Sequence, residues 1–246
     1  MENPALRLHE ILTVAYNSSE PIGYNNYPNF RTVWGSVFDV DRDDTSALMF
    51  SFTNMLNLVS SLKNLVEKND EINDNVSKNV LSKINIALSN IDFENDIRHF
   101  YSNMDTETLT SLHFIGKLID FAYKLNSSTI DKDKIQKLLQ SIDELLENIS
   151  ESTLPERAVQ LLVRNLHSMR EALINYKFFG EEALIRSLEQ TIGSMVLNQE
   201  ITNEIPKDDK NYKKFFEIFI ALGSITAFGS SILEIASPII EHILIP

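Results

Sequence analysis

The histidines and acidic residues are the side chains of this sequence that could bind a metal ion or transfer protons. The five histidines are His9, His99, His113, His167 and His242. No pair has the His-x-x-x-His or Glu-x-x-His spacing that places two ligands on one helix face. Asp96 and His99 form one Asp-x-x-His pair, which chance accounts for in a chain with 35 acidic residues. The sequence therefore predicts no metal site.

Four closely spaced aspartates, Asp39, Asp41, Asp43 and Asp44, begin like a calcium-binding loop. Counting Asp39 as the first position puts Asp44 where such a loop needs glycine, and Phe50 where it needs a bidentate glutamate. We therefore expect no calcium site here. We expect Asp43 or Asp44 to cap the helix that follows.

Sequence signatures of enzymatic chemistry are missing. There is no glycine-rich phosphate loop followed by lysine, and no serine elbow of the hydrolase type. The absence of cysteine excludes thiolate nucleophiles, thiolate ligands and disulfides, which fits a reducing compartment. The adjacent carboxylates Glu181 and Glu182 are expected to be solvated at a helix start. We therefore predict no catalytic residue, no cofactor and no enzymatic activity.

Four arginines in the two helices predicted on either side of Gly180 are the best candidates for binding a small anion. They are Arg157, Arg164, Arg170 and Arg186. Because Arg164 and Arg170 are six residues apart, they do not share one helix face, and salt bridges to nearby glutamates are the alternative. The formal net charge of −13 disfavours general nucleic-acid binding.

The C-terminal stretch has a composition unlike that of the preceding helices. Ile218 to Leu233 contains sixteen residues without a charge. Together with the three residues before it, this stretch would form a helix of about 28 Å, close to the roughly 30 Å hydrocarbon core of a bilayer. Isoleucine and phenylalanine follow one face of that helix, and small or acidic residues follow the other. The small and acidic face consists of Gly223, Ala227, Ser230, Glu234, Ser237 and Glu241.

This face would suit helix self-association in a membrane, or a pore whose glutamate rings favour cations. Lys207, Lys210, Lys213 and Lys214 precede the apolar segment, and no Lys or Arg follows it. If the segment spans a membrane, the positive-inside rule keeps the preceding residues in the cytoplasm. The alternative is the last helix of a soluble bundle, with isoleucines inward and glutamates outward.

The rest of the chain has the pattern of successive amphipathic helices. Apolar residues recur at three- and four-residue spacing, and period-two alternation is absent. We predict an all-α fold: a multi-helix bundle of eight or nine helices plus a C-terminal hydrophobic helix, which we predict to be transmembrane. The predicted parts are a cytoplasmic helical domain over residues 1–198, a linker over 199–214, and a hydrophobic tail over 215–246.

Two local features of the N-terminal part make specific predictions. Asn3 and Pro4 should begin the first helix, with Asn as the cap and Pro at the first position. A short helix over Arg31 to Phe38 should bury the single Trp34.

Two patches of the sequence carry a resemblance to a known group of proteins. The first is Asn3-Pro4-Ala5-Leu6-Arg7-Leu8 with Ile11-Leu12, Val33-Trp34 and Val37-Phe38, and the second is Leu166, Arg170, Ala172-Leu173, Tyr176, Gly180, Glu182-Ala183-Leu184, Leu188 and Ile192-Gly193. They are similar to a group of uncharacterised bacterial helical proteins, which often end in an apolar tail and some of which accompany phage-defence genes. The resemblance implies a bacterial origin and a membrane-acting effector, and it transfers no functional residue.

These features lead to two hypotheses for the function. The first is a membrane-associated bacterial effector, whose cytoplasmic helical domain senses a signal or partner and whose tail oligomerises to form a pore or disrupt the inner membrane, in anti-phage defence. Its partners would be copies of itself, membrane lipid at the tail, and a small anionic signal or a protein. The alternative is a soluble, cytoplasmic, all-helical interaction or scaffold protein whose C-terminal helix is part of the core.

Overall fold

A computed structural model of the chain describes residues 3–123 and 132–226. These residues form twelve α-helices and no strand, so the prediction of an all-α fold is confirmed. The helices are α1 (Pro4–Ser18), α2 (Phe30–Phe38), α3 (Thr45–Glu67), α4 (Asn75–Ala87), α5 (Arg98–Asn103), α6 (Thr106–Tyr123), α7 (Lys132–Ser150), α8 (Glu156–Ile174), α9 (Tyr176–Phe179), α10 (Glu181–Leu197), α11 (Gln199–Asn203) and α12 (Lys210–Ser224). Helices α9 and α11 have five residues or fewer, which is too short for apolar periodicity to reveal them.

The chain forms two compact units, residues 1–127 and residues 128–246. Helices α1 to α6 belong to the first unit and α7 to α12 to the second. The structure thus divides the chain within the domain that the sequence predicts over residues 1–198. The division falls in the sequence Ser127-Ser128-Thr129, whose composition is that of an ordinary loop between helices, so nothing in the sequence distinguishes it as a boundary.

In the first unit, α1 packs against α6 and α3. The side chain of Asn3 accepts hydrogen bonds from the first backbone N–H groups of α1, and Pro4 follows it, which confirms the predicted helix start. Its Nδ2 also donates to the carbonyl oxygen of Gly116 at 2.6 Å and to Asp120 Oδ1 at 2.7 Å on α6. A Cβ atom on Gly116 would lie 2.5 Å from Leu6 Cδ2, so the glycine permits the close approach of these helices. One residue therefore both caps α1 and joins it to α6.

An aromatic cluster fills the part of the first unit around α2. Trp34 is 1% exposed, and its ring centroid lies 5.0 Å from that of Phe52 on α3 and 5.2 Å from those of Phe38 and Phe100. The predicted short helix with a buried Trp is confirmed. Asp44 caps α3 by accepting a hydrogen bond from the N–H of Ala47, which confirms the capping prediction for this aspartate-rich turn.

In the second unit, α7, α8, α10 and α12 enclose one apolar core. Helix α12 begins at Lys210 because Asp209 caps it, accepting a hydrogen bond from the N–H of Tyr212 at 2.9 Å. The apolar face of α12 lies in this core, and its six large buried side chains are at most 4% exposed. They are Tyr212, Phe215, Phe216, Ile218, Phe219 and Leu222.

The stretch predicted as a linker, residues 199–214, is structured. It contains α11 and the first five residues of α12, and Ile205 between them is 3% exposed in the same core. The apolar residues of the stretch anchor it, whereas its Pro and mixed charge suggest a linker in the sequence. Among the helices of residues 3–123 and 132–226, none combines the length and the hydropathy needed to cross a bilayer.

Candidate functional site

The small and acidic face predicted for the tail is represented by one residue in the described part of the chain. Gly223 is buried near the end of α12. Ala227, Ser230, Glu234, Ser237 and Glu241 lie outside the described residues, so their role in oligomerisation or in lining a pore stays a prediction. Ile225, on the predicted apolar face, packs partly buried against the core of the second unit.

The four arginines proposed for anion binding are directed to different neighbours. Arg164 donates to a serine of α10 at 3.2 Å, and Arg170 Nε donates to Asp143 Oδ1 of α7 at 2.7 Å. Arg186 forms a salt bridge with a glutamate one turn earlier in α10, while Arg157 is exposed near the start of α8. Arg186 thus forms the kind of salt bridge to a nearby glutamate that is the alternative to anion binding, and Arg170 forms one with an aspartate of α7, while anion binding itself stays a prediction. Arg164 and Arg186 contact residues of α10 and Arg170 contacts α7, so these contacts do not bring the arginines together at one site.

Two histidines that are distant in the sequence meet between α1 and α6. The ring centroids of His9 and His113 are 5.0 Å apart. Partial burial lowers the pKa of His9, and the neighbouring His113 lowers it further. In the described part of the chain, no three His, Cys, Asp or Glu side chains form a cluster that could hold a metal ion. The sequence could not reveal this pair, because it depends on which helices pack together.

Lys83 on α4 forms an ion pair with Asp105, the residue that directly precedes α6. Lys83 Nζ donates to Asp105 Oδ2 at 2.8 Å, and the backbone N–H of Thr108 donates to Oδ1 at 2.7 Å. The hydrogen bond from Lys83 is the main cause that lowers the pKa of Asp105 to about 2, and the bonds from Thr108 add to it. The carboxylate therefore caps α6 and joins it to α4.

Replacing Asp105 with Asn should reduce stability in a pH-dependent way. A carboxyl whose folded pKa is about 2, against 3.8 when unperturbed, stabilises the fold above pH 4, and this contribution is lost as the pH falls towards 2. Because the side chain is about half exposed, we expect a loss of no more than about 1 kcal/mol at pH 7. Urea unfolding of both proteins from pH 7 to pH 3 measures it. A difference that grows on acidification would contradict this account.

The hydroxyl of Tyr212 has no hydrogen-bond partner among the described residues. Tyr212 is fully buried on α12, with its ring 5.1 Å from that of Phe216, and burial raises the pKa of its phenol. A buried hydroxyl without a partner is destabilising, since it has lost its hydrogen bonds to water. The only polar atom of this side chain therefore weakens the packing of α12.

Replacing Tyr212 with Phe should stabilise the second unit by about 1 kcal/mol, because the substitution removes the unpaired hydroxyl and keeps the ring. Urea unfolding of the variant measures the change in free energy. The matching substitution of Tyr24, which is 99% exposed, should leave the stability unchanged. A loss of stability in the Tyr212 variant would show that the hydroxyl does have a partner.

An exposed apolar stripe runs along α6. The α6 stripe consists of Phe114, Leu118 and Phe121, which are 63%, 51% and 85% exposed. Their spacing of four and three residues places them on one side of the helix. Scattered apolar residues on a surface are normal, but three large ones on one helix face mark a surface that other molecules can cover. The sequence did not reveal the stripe, because α6 also carries the apolar residues of its buried side and spacing alone does not show which apolar face is covered.

Comparison of the chain with protein-family models, curated proteins and solved structures finds no match. The fold and the geometry of its surfaces are therefore the basis for assigning a class, which is an all-α protein with two helical units.

Proposed function

We propose that this chain is an all-helical interaction protein in which α12 belongs to the core of its own unit and the α6 stripe binds a partner. The observation that carries the proposal is the exposure of Phe114, Leu118 and Phe121 on one face of a well-packed helix. Keeping such residues in water is unfavourable, by about 1.5–3 kcal/mol for each large side chain that a partner would bury. The side of α6 that packs on α1 holds the stripe in place.

The position of α12 supports this proposal over one in which the tail acts in a membrane. Phe215 and Leu222 are fully buried and Phe219 is 2% exposed, all within the unit to which they belong. To enter lipid, α12 would have to leave this core and give up contacts that already remove its apolar face from water. Moving the apolar face of α12 from the core into lipid would add little stabilisation, because both environments already exclude water.

The partner that fits the α6 stripe is a basic amphipathic helix. A single helix-long row of apolar side chains matches a helix that presents apolar residues at three- and four-residue spacing. The net charge of −13 attracts a partner with lysines or arginines flanking its apolar face and repels a second copy of this chain, although one exposed lysine, Lys117, lies beside the stripe. We therefore propose a basic amphipathic helix as the partner of the α6 stripe.

Binding of a model peptide tests the proposal. The probe is a helical peptide of leucine and lysine with apolar residues at three- and four-residue spacing, and its affinity is measured by fluorescence anisotropy. Replacing Phe114 and Phe121 with Ser should weaken binding by about 30-fold or more, because truncating a central aromatic residue costs about 2 kcal/mol or more. A leucine and glutamate peptide of the same pattern should bind at least about tenfold more weakly.

The control variant replaces Leu197 with Ser. Leu197 is 86% exposed near the end of α10, away from any such stripe, so the variant should bind the basic peptide as the original chain does. If the Leu197 variant and the double phenylalanine variant lose affinity equally, binding is not at the α6 stripe and the proposal fails.

A second candidate function is the membrane-associated effector, which oligomerises in the inner membrane in anti-phage defence. The observation that favours it is the set of lysines at the start of α12: Lys210, Lys213 and Lys214 are exposed, and the uncharged sequence that follows continues to Leu233. Exposed lysines beside an apolar segment are attracted to anionic lipid. In this candidate, α12 leaves its core when the effector is activated.

Flotation with vesicles that contain phosphatidylglycerol distinguishes the two candidates. The interaction protein should stay at the bottom of the gradient without detergent. The effector should float with the vesicles and release an enclosed dye. Flotation that disappears when residues 227–246 are deleted would establish the second candidate in place of the first.

A further inference from the structure

A groove of about 440 Å³ opens between α4 and the C-terminal half of α3, within the first unit. This volume is in the range of about 300–1,000 Å³ that is typical of small-molecule sites. Val66 and Leu81 line it and are 1% and 8% exposed, and Ile86 lines it although 48% of its surface is exposed. The groove therefore offers an aliphatic surface of which one part is still in contact with water.

An amide oxygen in this groove lacks a donor. Asn73 lies in the turn between α3 and α4 and lines the groove. Its Oδ1 is buried and accepts no hydrogen bond from the described residues. A buried acceptor without a donor carries a desolvation penalty, which a ligand N–H would remove. The groove therefore suits a ligand that has a hydrogen-bond donor next to an apolar part.

Lysine side chains supply positive charge at the rim of the groove. Lys63 on α3 forms a salt bridge with Glu67 at 3.7 Å. Lys78 on α4 also lines the groove, and it is exposed without a salt bridge in the described part of the chain. Glu67 also lines the groove and its charge is offset by Lys63, so the unpaired Lys78 favours an anionic group at this place although the net charge of the chain is −13.

We propose that this groove binds a small amphiphile in which an aliphatic chain is joined through an amide N–H to a carboxylate, the chemistry of an N-acyl amino acid. The aliphatic chain lies on Val66, Leu81 and Ile86. The amide N–H donates to Asn73 Oδ1, and the carboxylate lies beside Lys78. Each part of this ligand interacts with one of the three features of the groove described above. The site does not involve the α6 stripe.

Binding of N-decanoylglycine to the full chain, below the concentration at which it forms micelles, tests the proposal. Nuclear magnetic resonance should show saturable shifts at the methyl groups of Val66, Leu81 and Ile86. N-decanoylsarcosine has the same chain and carboxylate but no amide N–H, and it should bind about tenfold more weakly, since the acceptor of Asn73 then stays unpaired. Equal binding of the two compounds overturns the proposal.

Two lysine variants test the position of the carboxylate. Lys78→Gln should weaken binding of N-decanoylglycine about fivefold, because it removes one charge next to the carboxylate. Lys68→Gln removes an exposed lysine that does not line the groove, and it should leave the affinity unchanged. Equal losses in the two variants, or shifts that do not saturate, also overturn the proposal.

Discussion

Deleting residues 210–246, and with them α12, should unfold the second unit. The six large side chains that α12 buries contribute about 1.5–3 kcal/mol each, so their loss removes on the order of 10 kcal/mol. That is comparable to the whole stability of a typical domain, about 5–15 kcal/mol. The methyl resonances of Leu162 and Leu188, both fully buried in the same core, should collapse to the shifts of an unfolded chain.

The matched control deletes residues 227–246 only. This shorter deletion keeps every described residue of the core, so the resonances of Leu162 and Leu188 should stay dispersed. A protein ending at Asp209 whose second unit still unfolds cooperatively would contradict the account, because α12 would then be an appendage and not part of the core.

Replacing Trp34 with Ala should lower the free energy of unfolding of the first unit more than replacing Asp105 with Asn or Tyr24 with Ala. The Trp34 ring is in contact with Phe30, Phe38, Phe52 and Phe100, at centroid distances of 5.0 to 6.2 Å. Removing a fully buried aromatic side chain leaves a cavity and costs about 3–5 kcal/mol. Urea unfolding followed by circular dichroism measures the loss.

The comparison for Trp34 is Tyr24, an aromatic residue of the same unit that is 99% exposed. Tyr24→Ala should change the free energy of unfolding by no more than about 0.5 kcal/mol. If both substitutions have small effects, the aromatic cluster is not the centre of the first unit's core. The indole N–H of Trp34 has no partner among the described residues, so loss of a hydrogen bond adds nothing to the expected effect.

Local features of the fold could be predicted because their causes are local. The cap at Asn3 and the cap at Asp44 follow from one side chain and the few residues after it. The buried face of α2 follows from the spacing of its apolar residues. The sequence also predicts the all-α class, since apolar periodicity of about 3.6 residues recurs along the chain.

The place of α12 could not be predicted, because an apolar face packed in a protein core and one facing lipid have the same composition. Phe215, Phe219 and Leu222 would suit either environment. The choice depends on whether α7, α8 and α10 leave a matching surface, which is a property of the folded unit. The helix pattern alone therefore allowed both a membrane helix and a core helix.

The candidate surfaces could not be predicted for a related reason. The approach of His9 to His113 and the pairing of Lys83 with Asp105 need helices that are separated in the sequence to be placed side by side. The α6 stripe became visible only once the packing on α1 determined which side of α6 is buried. Sequence spacing identifies faces of a helix, and it does not identify which face is covered.

Hydrogen exchange at the backbone amides of residues 215–222, in water and with vesicles that contain phosphatidylglycerol, tests most directly whether α12 is a core helix. The account predicts that these amides exchange as slowly as those in the middle of α8, through global unfolding of the second unit, and that vesicles do not change their rates. Fast exchange of these amides in water that becomes slow only when vesicles are added would contradict it.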